Sequence, residues 1–195
     1  VRILASDERV DFNRHDVDMA IRYGAGNWPD LVVIPLMTEE LFPVCSPALL
    51  RGRHPLEKPE DLVHHTLLHD DLSFENGDVD WRTWLRTVGA DHVVDSERGP
   101  FFEHSHLVVQ AAIDGQGVAL GRGVLVADAM ADGRLVRPFD SAGIPLEYAY
   151  YIAHPEGAMR RPSVAAFSNW LREEARTSQE NSNVEYTSLI RSSGS

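Results

Sequence analysis

The chain has 195 residues, 43% of them apolar and 25% charged. That is an ordinary globular balance, long enough for one medium domain or two small lobes with a sizeable core. A formal net charge of −12 argues against this chain itself wrapping duplex DNA, which requires a basic surface. The single cysteine, Cys45, excludes an internal disulfide framework and a multi-cysteine zinc site, and no apolar run of about 18 residues is present to span a membrane.

In chain order, residues 1–6 read as a strand. They are too short and too soon charged for a signal peptide, so the cytoplasm is the default location. A chain that opens on Val within a strand is expected to be a fragment. Residues 7–16 form a polar connector holding Val10 and Phe12. Val17, Met19, Ile21 and Tyr23 then alternate with Asp18, Ala20 and Arg22, the period of a strand with one apolar face. This strand breaks into the turn Gly24–Pro29. With Arg22, Tyr23 and Trp28 nearby, that junction is suited to one lip of a ligand cleft.

Residues 31–45 contain a second extended segment, in which Pro35 and Pro43 imply an edge position or a break. Cys45 reads as a small buried residue at its end. Ser46-Pro47 starts a short helical turn, and residues 59–63 a second one with Glu60 and Asp61 in its first turn. Residues 66–69 read as a strand and 70–80 as a polar loop. Trp81, Trp84, Leu85 and Val88 share one helical face, with Asp80 as N-cap and Gly89 as the stop.

Residues 99–104 read as a strand, followed by a helix from Ser105 to Asp114. Residues 118–121 form a short buried strand and 124–131 a helix stopped at Gly133. Residues 135–139 and 146–154 read as strands, the latter carrying Tyr148, Tyr150 and Tyr151. Val164, Phe167, Trp170 and Leu171 mark a last amphipathic helix ending near Arg176. Residues 177–195, rich in Ser and Asn, read as a mobile tail. Strands alternating with helices imply an α/β sandwich with mainly parallel strands. No internal repeat or heptad pattern is present.

Three constellations carry possible chemistry. His104-Ser105-His106 falls at a strand-to-helix junction, where free N–H groups and the helix dipole favour an anion such as a carboxylate or phosphate. The plainer alternative is that Ser105 only caps the helix. Arg22-Tyr23-Gly24 offers a cation and a hydroxyl; the alternative is a surface Arg beside a core-edge Tyr. His64, His65 and His69 would suit a metal if residues 65–69 were helical, and the strand pattern there spoils that spacing. No Gly-x-Ser-x-Gly elbow, complete dinucleotide loop or paired carboxylates are evident, so an enzyme is not expected.

The stretches VDFNRHDVDMAIRYGAGNWPDL, LFPVCSPALL, PEDLVHHTLLHDD, WRTWLRTVGA, GPFFEHSHLVVQAAIDGQGVALGRGVLVADAMADGRLVRPF and YYIAHPEGAMRRPSVAAFSNWL occur in this order. Together they resemble the effector-binding domain of LysR-type transcriptional regulators, in the glycine-cleavage-activator branch. The resemblance implies an α/β, two-lobed fold like a type 2 periplasmic binding protein. Lobe one would hold residues 1–46 and 154–176, lobe two residues 66–146, and residues 47–65 and 147–153 would cross between them.

A small effector, with a carboxylate-bearing molecule as the candidate, would sit between the lobes. Its expected contacts are Arg22, Tyr23, Gly24, His104, Ser105, His106 and, by family position, Tyr150. Tyr148 shares a strand face with Tyr150, so either can be the cleft residue. The resemblance further implies no metal, no cofactor, no membrane, and a homodimer or homotetramer. DNA would be bound only through a helix-turn-helix that this chain does not contain. The family's first strand and helix of lobe one are likewise expected to be missing, with their Ser/Thr ligand loop. The competing reading is a stand-alone solute-binding protein of the same fold.

Overall fold

A computed structural model describes residues 1–5, 10–12, 14–70, 79–140 and 143–192, with side chains as far as residue 179. In chain order the strands and helices are β1 (Ala20–Gly24), β2 (Val32–Met37), β3 (Glu40–Val44), β4 (Leu67–Asp70), α1 (Trp81–Val88), β5 (Phe101–Phe102), α2 (Ser105–Ile113), β6 (Val118–Arg122), α3 (Gly123–Ala131), β7 (Ile144–Pro145), β8 (Ala149–His154) and α4 (Pro162–Ser192). Short 3-10 turns occupy Pro47–Arg51, Pro59–His64 and Ala158–Arg160. The chain divides into two units, one of Val1–Thr38 with Tyr148–Ser195, the other of Glu39–Glu147. Thus β3 and the segment 47–65 fall within the second unit.

The first unit is a three-stranded sheet in the order β1-β8-β2, antiparallel throughout. β2 pairs out of step once. Pro35 lies opposite Tyr151 and Met37 opposite Tyr150, leaving Leu36 as an extra residue. Such a bulge bends its strand and re-aims the neighbouring side chains. Along α4, Val164, Ser168 and Ala175 are buried, the stripe expected of a helix packed on one side.

The second unit has a five-stranded sheet in the order β5-β4-β6-β3-β7. Its core has two clusters. Leu67 and its register partner Val118 join Cys45, Leu62, Trp81, Trp84 and Leu85 in one. Leu68 and its partner Ala119 join Phe42, Val44, Val108, Ala112 and Val126 in the other. Successive strand residues point to opposite faces, so β4 and β6 feed both clusters, and their buried stretches, Leu67-Leu68 and Val118-Ala119, are apolar without alternation. Asp80 caps α1 by accepting the Thr83 N–H at 2.8 Å, and Gly89 ends it at φ 74°. The Trp81 indole N–H donates to the Leu68 carbonyl at 3.1 Å, tying α1 to β4. Gly99 has no room for a side chain, because a Cβ there would overlap the Leu67 carbonyl oxygen.

Several expectations need correction. Among the described residues only β4 pairs in parallel, with β5 and β6; the other pairings are antiparallel. Alternation of strands and helices does not fix strand direction when sheet neighbours are distant in sequence, and here β8 runs against both β1 and β2. Val1–Ala5 carry no regular structure, with Val1 and Ile3 exposed; position 6 lies outside the described residues. β1 begins at Ala20 and β8 at Ala149. Residues 135–139 contribute only a bridge between Val136 and Cys45, and Pro138 cannot donate to a ladder. Helical backbone continues beyond Arg176 to Ser192. Most of the loop expected at 70–80 lies outside the described residues.

Candidate functional site

In the second unit, β4 and β5 run in parallel, with Asp70 opposite Phe102 at their carboxyl ends. The chain then turns directly into α2. Carboxyl ends of parallel strands, with a helix starting above them, are where α/β proteins commonly place ligands. His104 takes the N-cap position and makes no side-chain capping bond. Ser105 is therefore the first helical residue, not the cap. Its hydroxyl donates to Asp70 Oδ2 at 2.5 Å, across 35 positions of sequence. The rings of His104 and His106 stack on each other at 5.5 Å, and both side chains are exposed.

This arrangement has two chemical characters side by side. The first N–H groups of α2 have no carbonyl four residues earlier and attract negative charge. The Asp70 carboxylate and the Ser105 lone pairs accept hydrogen bonds. Because the Ser105 proton is directed at a carboxylate, the Ser–imidazole pairing of a nucleophilic hydrolase is not formed here.

In the first unit, Tyr23 and Tyr150 are register partners, with ring centroids 5.0 Å apart; Tyr148 meets Tyr23 edge-on at 5.8 Å. The two expected alternatives, Tyr148 and Tyr150, thus belong to one aromatic cluster. Arg22 points to the opposite face of β1. It donates to the Val10 carbonyl at 3.1 Å and lies 5.5 Å over the Trp28 ring, which in turn meets Tyr151 at 5.7 Å. Gly24 is buried under Trp28, where a Cβ would come within 3.0 Å of the indole. The strand therefore separates the cation from the Tyr23 hydroxyl.

His69 lies in β4, buried, stacked on Phe101 at 4.3 Å and bonded through Nε2 to the Arg98 carbonyl at 3.3 Å. Burial pushes its pKa below the ordinary 6.5, and the Arg98 carbonyl, Glu97 and Asp80 only partly oppose that shift. His65 is engaged with the His54 carbonyl at 2.8 Å. No cluster of three or more potential metal ligands occurs among the described residues. Asp70 is the functional candidate that sequence reasoning missed. Its only local signal is its place at the end of an apolar strand.

A family model described as the LysR substrate binding domain matches residues 1–176. The chain belongs to that family. It is 44% identical over 186 residues to the glycine cleavage system transcriptional activator of Escherichia coli K12, covering 95% of this chain and 59% of that protein. This chain thus spans less than two thirds of that relative's length. Among solved structures, it resembles the effector domain of the transcriptional regulator AmpR of Pseudomonas aeruginosa. The TM-score is 0.67 at 28% identity, over 89% of this chain and 79% of that one. The AmpR effector-binding domain of Citrobacter freundii matches equally well, with a TM-score of 0.67 at 28% identity over 87% and 80%. The fold is thus that of a LysR effector-binding domain, and the relatives are regulators of transcription rather than enzymes or solute carriers. No helix among the described residues is long and apolar enough to cross a membrane.

Proposed function

We propose that this LysR substrate-binding domain senses a small, carboxylate-bearing molecule of amino-acid size on behalf of a cytoplasmic, oligomeric transcriptional regulator. The observation that carries the reading is the start of α2, where Ser105 is fixed on Asp70 beside the uncapped first turn. The helix N-terminus takes the effector's carboxylate, and Asp70 with Ser105 takes a donor such as an ammonium group. His104 and His106 flank that position. Within the first unit, Tyr23 and Tyr150 are candidate contacts of their own, offering aromatic surface and hydroxyls, and Arg22 and Gly24 belong to the same strand β1. A glycine cleavage activator among the relatives supports an effector from amino-acid metabolism.

Regulation follows from differential binding. An effector that favours one arrangement of the domain shifts its population, and in a dimer or tetramer that shift repositions DNA-binding segments carried elsewhere in the protein. The test is a thermal-shift screen of this chain against amino acids and other carboxylates. A ligand at 100 times its Kd adds about 2.7 kcal/mol of stability. A hit weakened by Ser105→Ala and by Tyr150→Phe supports the reading. A hit indifferent to both substitutions removes these residues from the site.

A further inference from the structure

A second candidate site lies wholly within the first unit. A groove of about 460 Å³ runs where α4 crosses β2. Its floor is Pro35 and Leu36; its wall includes Asn169, Arg172, Arg176 and Gln179. The wall residues recur every three or four positions and so line one stripe of the helix.

The groups in this stripe are not equivalent. Arg176 is held by Glu173 at 2.6 Å, a pair that keeps the Glu173 carboxyl below its usual pKa. The Gln179 amide donates to Thr38 Oγ1 at 2.9 Å. Arg172 makes no ion pair or hydrogen bond among the described residues, yet lines the groove. Two guanidinium groups against one carboxylate leave one positive charge over an apolar floor. A guanidinium presents a planar fork of donors that matches a carboxylate.

The floor is also the most irregular part of the sheet. Leu36 is the extra residue of the β2 bulge, between the residues paired with Tyr151 and Tyr150. Whatever packs on Leu36 bears on the strand position that sets Tyr150.

We propose that this groove binds a small monocarboxylate with a short apolar body, its carboxylate on Arg172 and its body against Pro35 and Leu36. The site shares no residue with the contacts around Ser105, so each can be tested without the other. The probe is hexanoate, titrated into the whole 195-residue chain and followed by amide and arginine side-chain NMR shifts. Saturable shifts are expected at Leu36, Met37, Tyr150 and the Arg172 guanidinium, with none from hexanamide. Arg172→Gln should weaken hexanoate about ten- to a hundredfold, the range of a charge-assisted hydrogen bond, with Arg172→Lys in between. Non-saturating shifts, equal binding by Arg172→Gln, or binding lost in Ser105→Ala but kept in Arg172→Gln would each overturn the proposal.

Discussion

The two units use apolar side chains in different ways. In the second, Trp84, Leu62, Leu67, Leu68 and Leu85 are almost wholly buried, in clusters fed by both faces of one sheet. In the first, the buried apolar residues among those described are Ile152, Ala153, Val164 and Ala175, while Tyr23, Tyr148, Tyr150 and Tyr151 remain half-buried and Ile21 is 53% exposed. Close packing on two faces fixes side chains in one arrangement. A half-buried aromatic surface keeps hydroxyls and ring edges available to a ligand. Its denser packing predicts that the second unit holds most of the stability, whereas the first is the more open of the two.

The most severe test of this contrast is Trp84→Ala. It removes a fully buried indole from the second unit and should cost about 3–5 kcal/mol in urea unfolding. Cys45 reports on the same core, because burial pushes its thiol up to about 12. At pH 8 a thiol reagent should label the native protein only through unfolding and the Trp84→Ala protein far faster. Rapid labelling of the native protein would mean that the second unit is not the stable one.

A smaller effect is expected at the entrance to α1. Asp80→Ala removes the cap on the Thr83 N–H and should lower stability by about 1 kcal/mol. Amides of α1 should then exchange faster while those of β8 do not.

The smallest effect is pH-dependent and confined to the second unit. Folding holds His69 below its ordinary pKa, so the unfolded chain takes up the proton first as pH falls. The stability associated with neutral His69 is present above about pH 6.5 and is lost as pH drops from there through the lower folded value. The urea midpoint should fall between pH 7.5 and pH 5.5, and less so in His69→Leu. An unchanged pH dependence in that variant would assign the titration to another group.

Local patterns made some of these features legible. The stripe of Trp81, Trp84 and Leu85 with Asp80 before it and Gly89 after it gave the position of α1, because capping and periodicity lie within a few residues. The ordered motifs carried the family and hence the fold. Strand direction was not legible, since β8 meets β1 and β2 only after the whole second unit has intervened. The Ser105–Asp70 bond spans 35 positions, with no spacing rule to announce it. Alternation along β1 does separate Arg22 from Tyr23, but grouping them as neighbours in sequence hid the fact that strand neighbours face apart.

The central strand of the first sheet has a consequence for synthesis on the ribosome. β1 and β2 emerge early, yet each pairs with β8, which is made only after residue 148. The second unit is one uninterrupted stretch, Glu39–Glu147, and can close while translation continues. For that interval Ala20–Gly24 and Val32–Met37 are strands without their shared neighbour, their backbone groups open to any passing edge. A nascent chain stalled with Glu147 just outside the ribosome and β8 still inside the exit tunnel should therefore carry a folded second unit and an N-terminal segment without its sheet partner. Release of a few further residues would decide whether the protein assembles or aggregates.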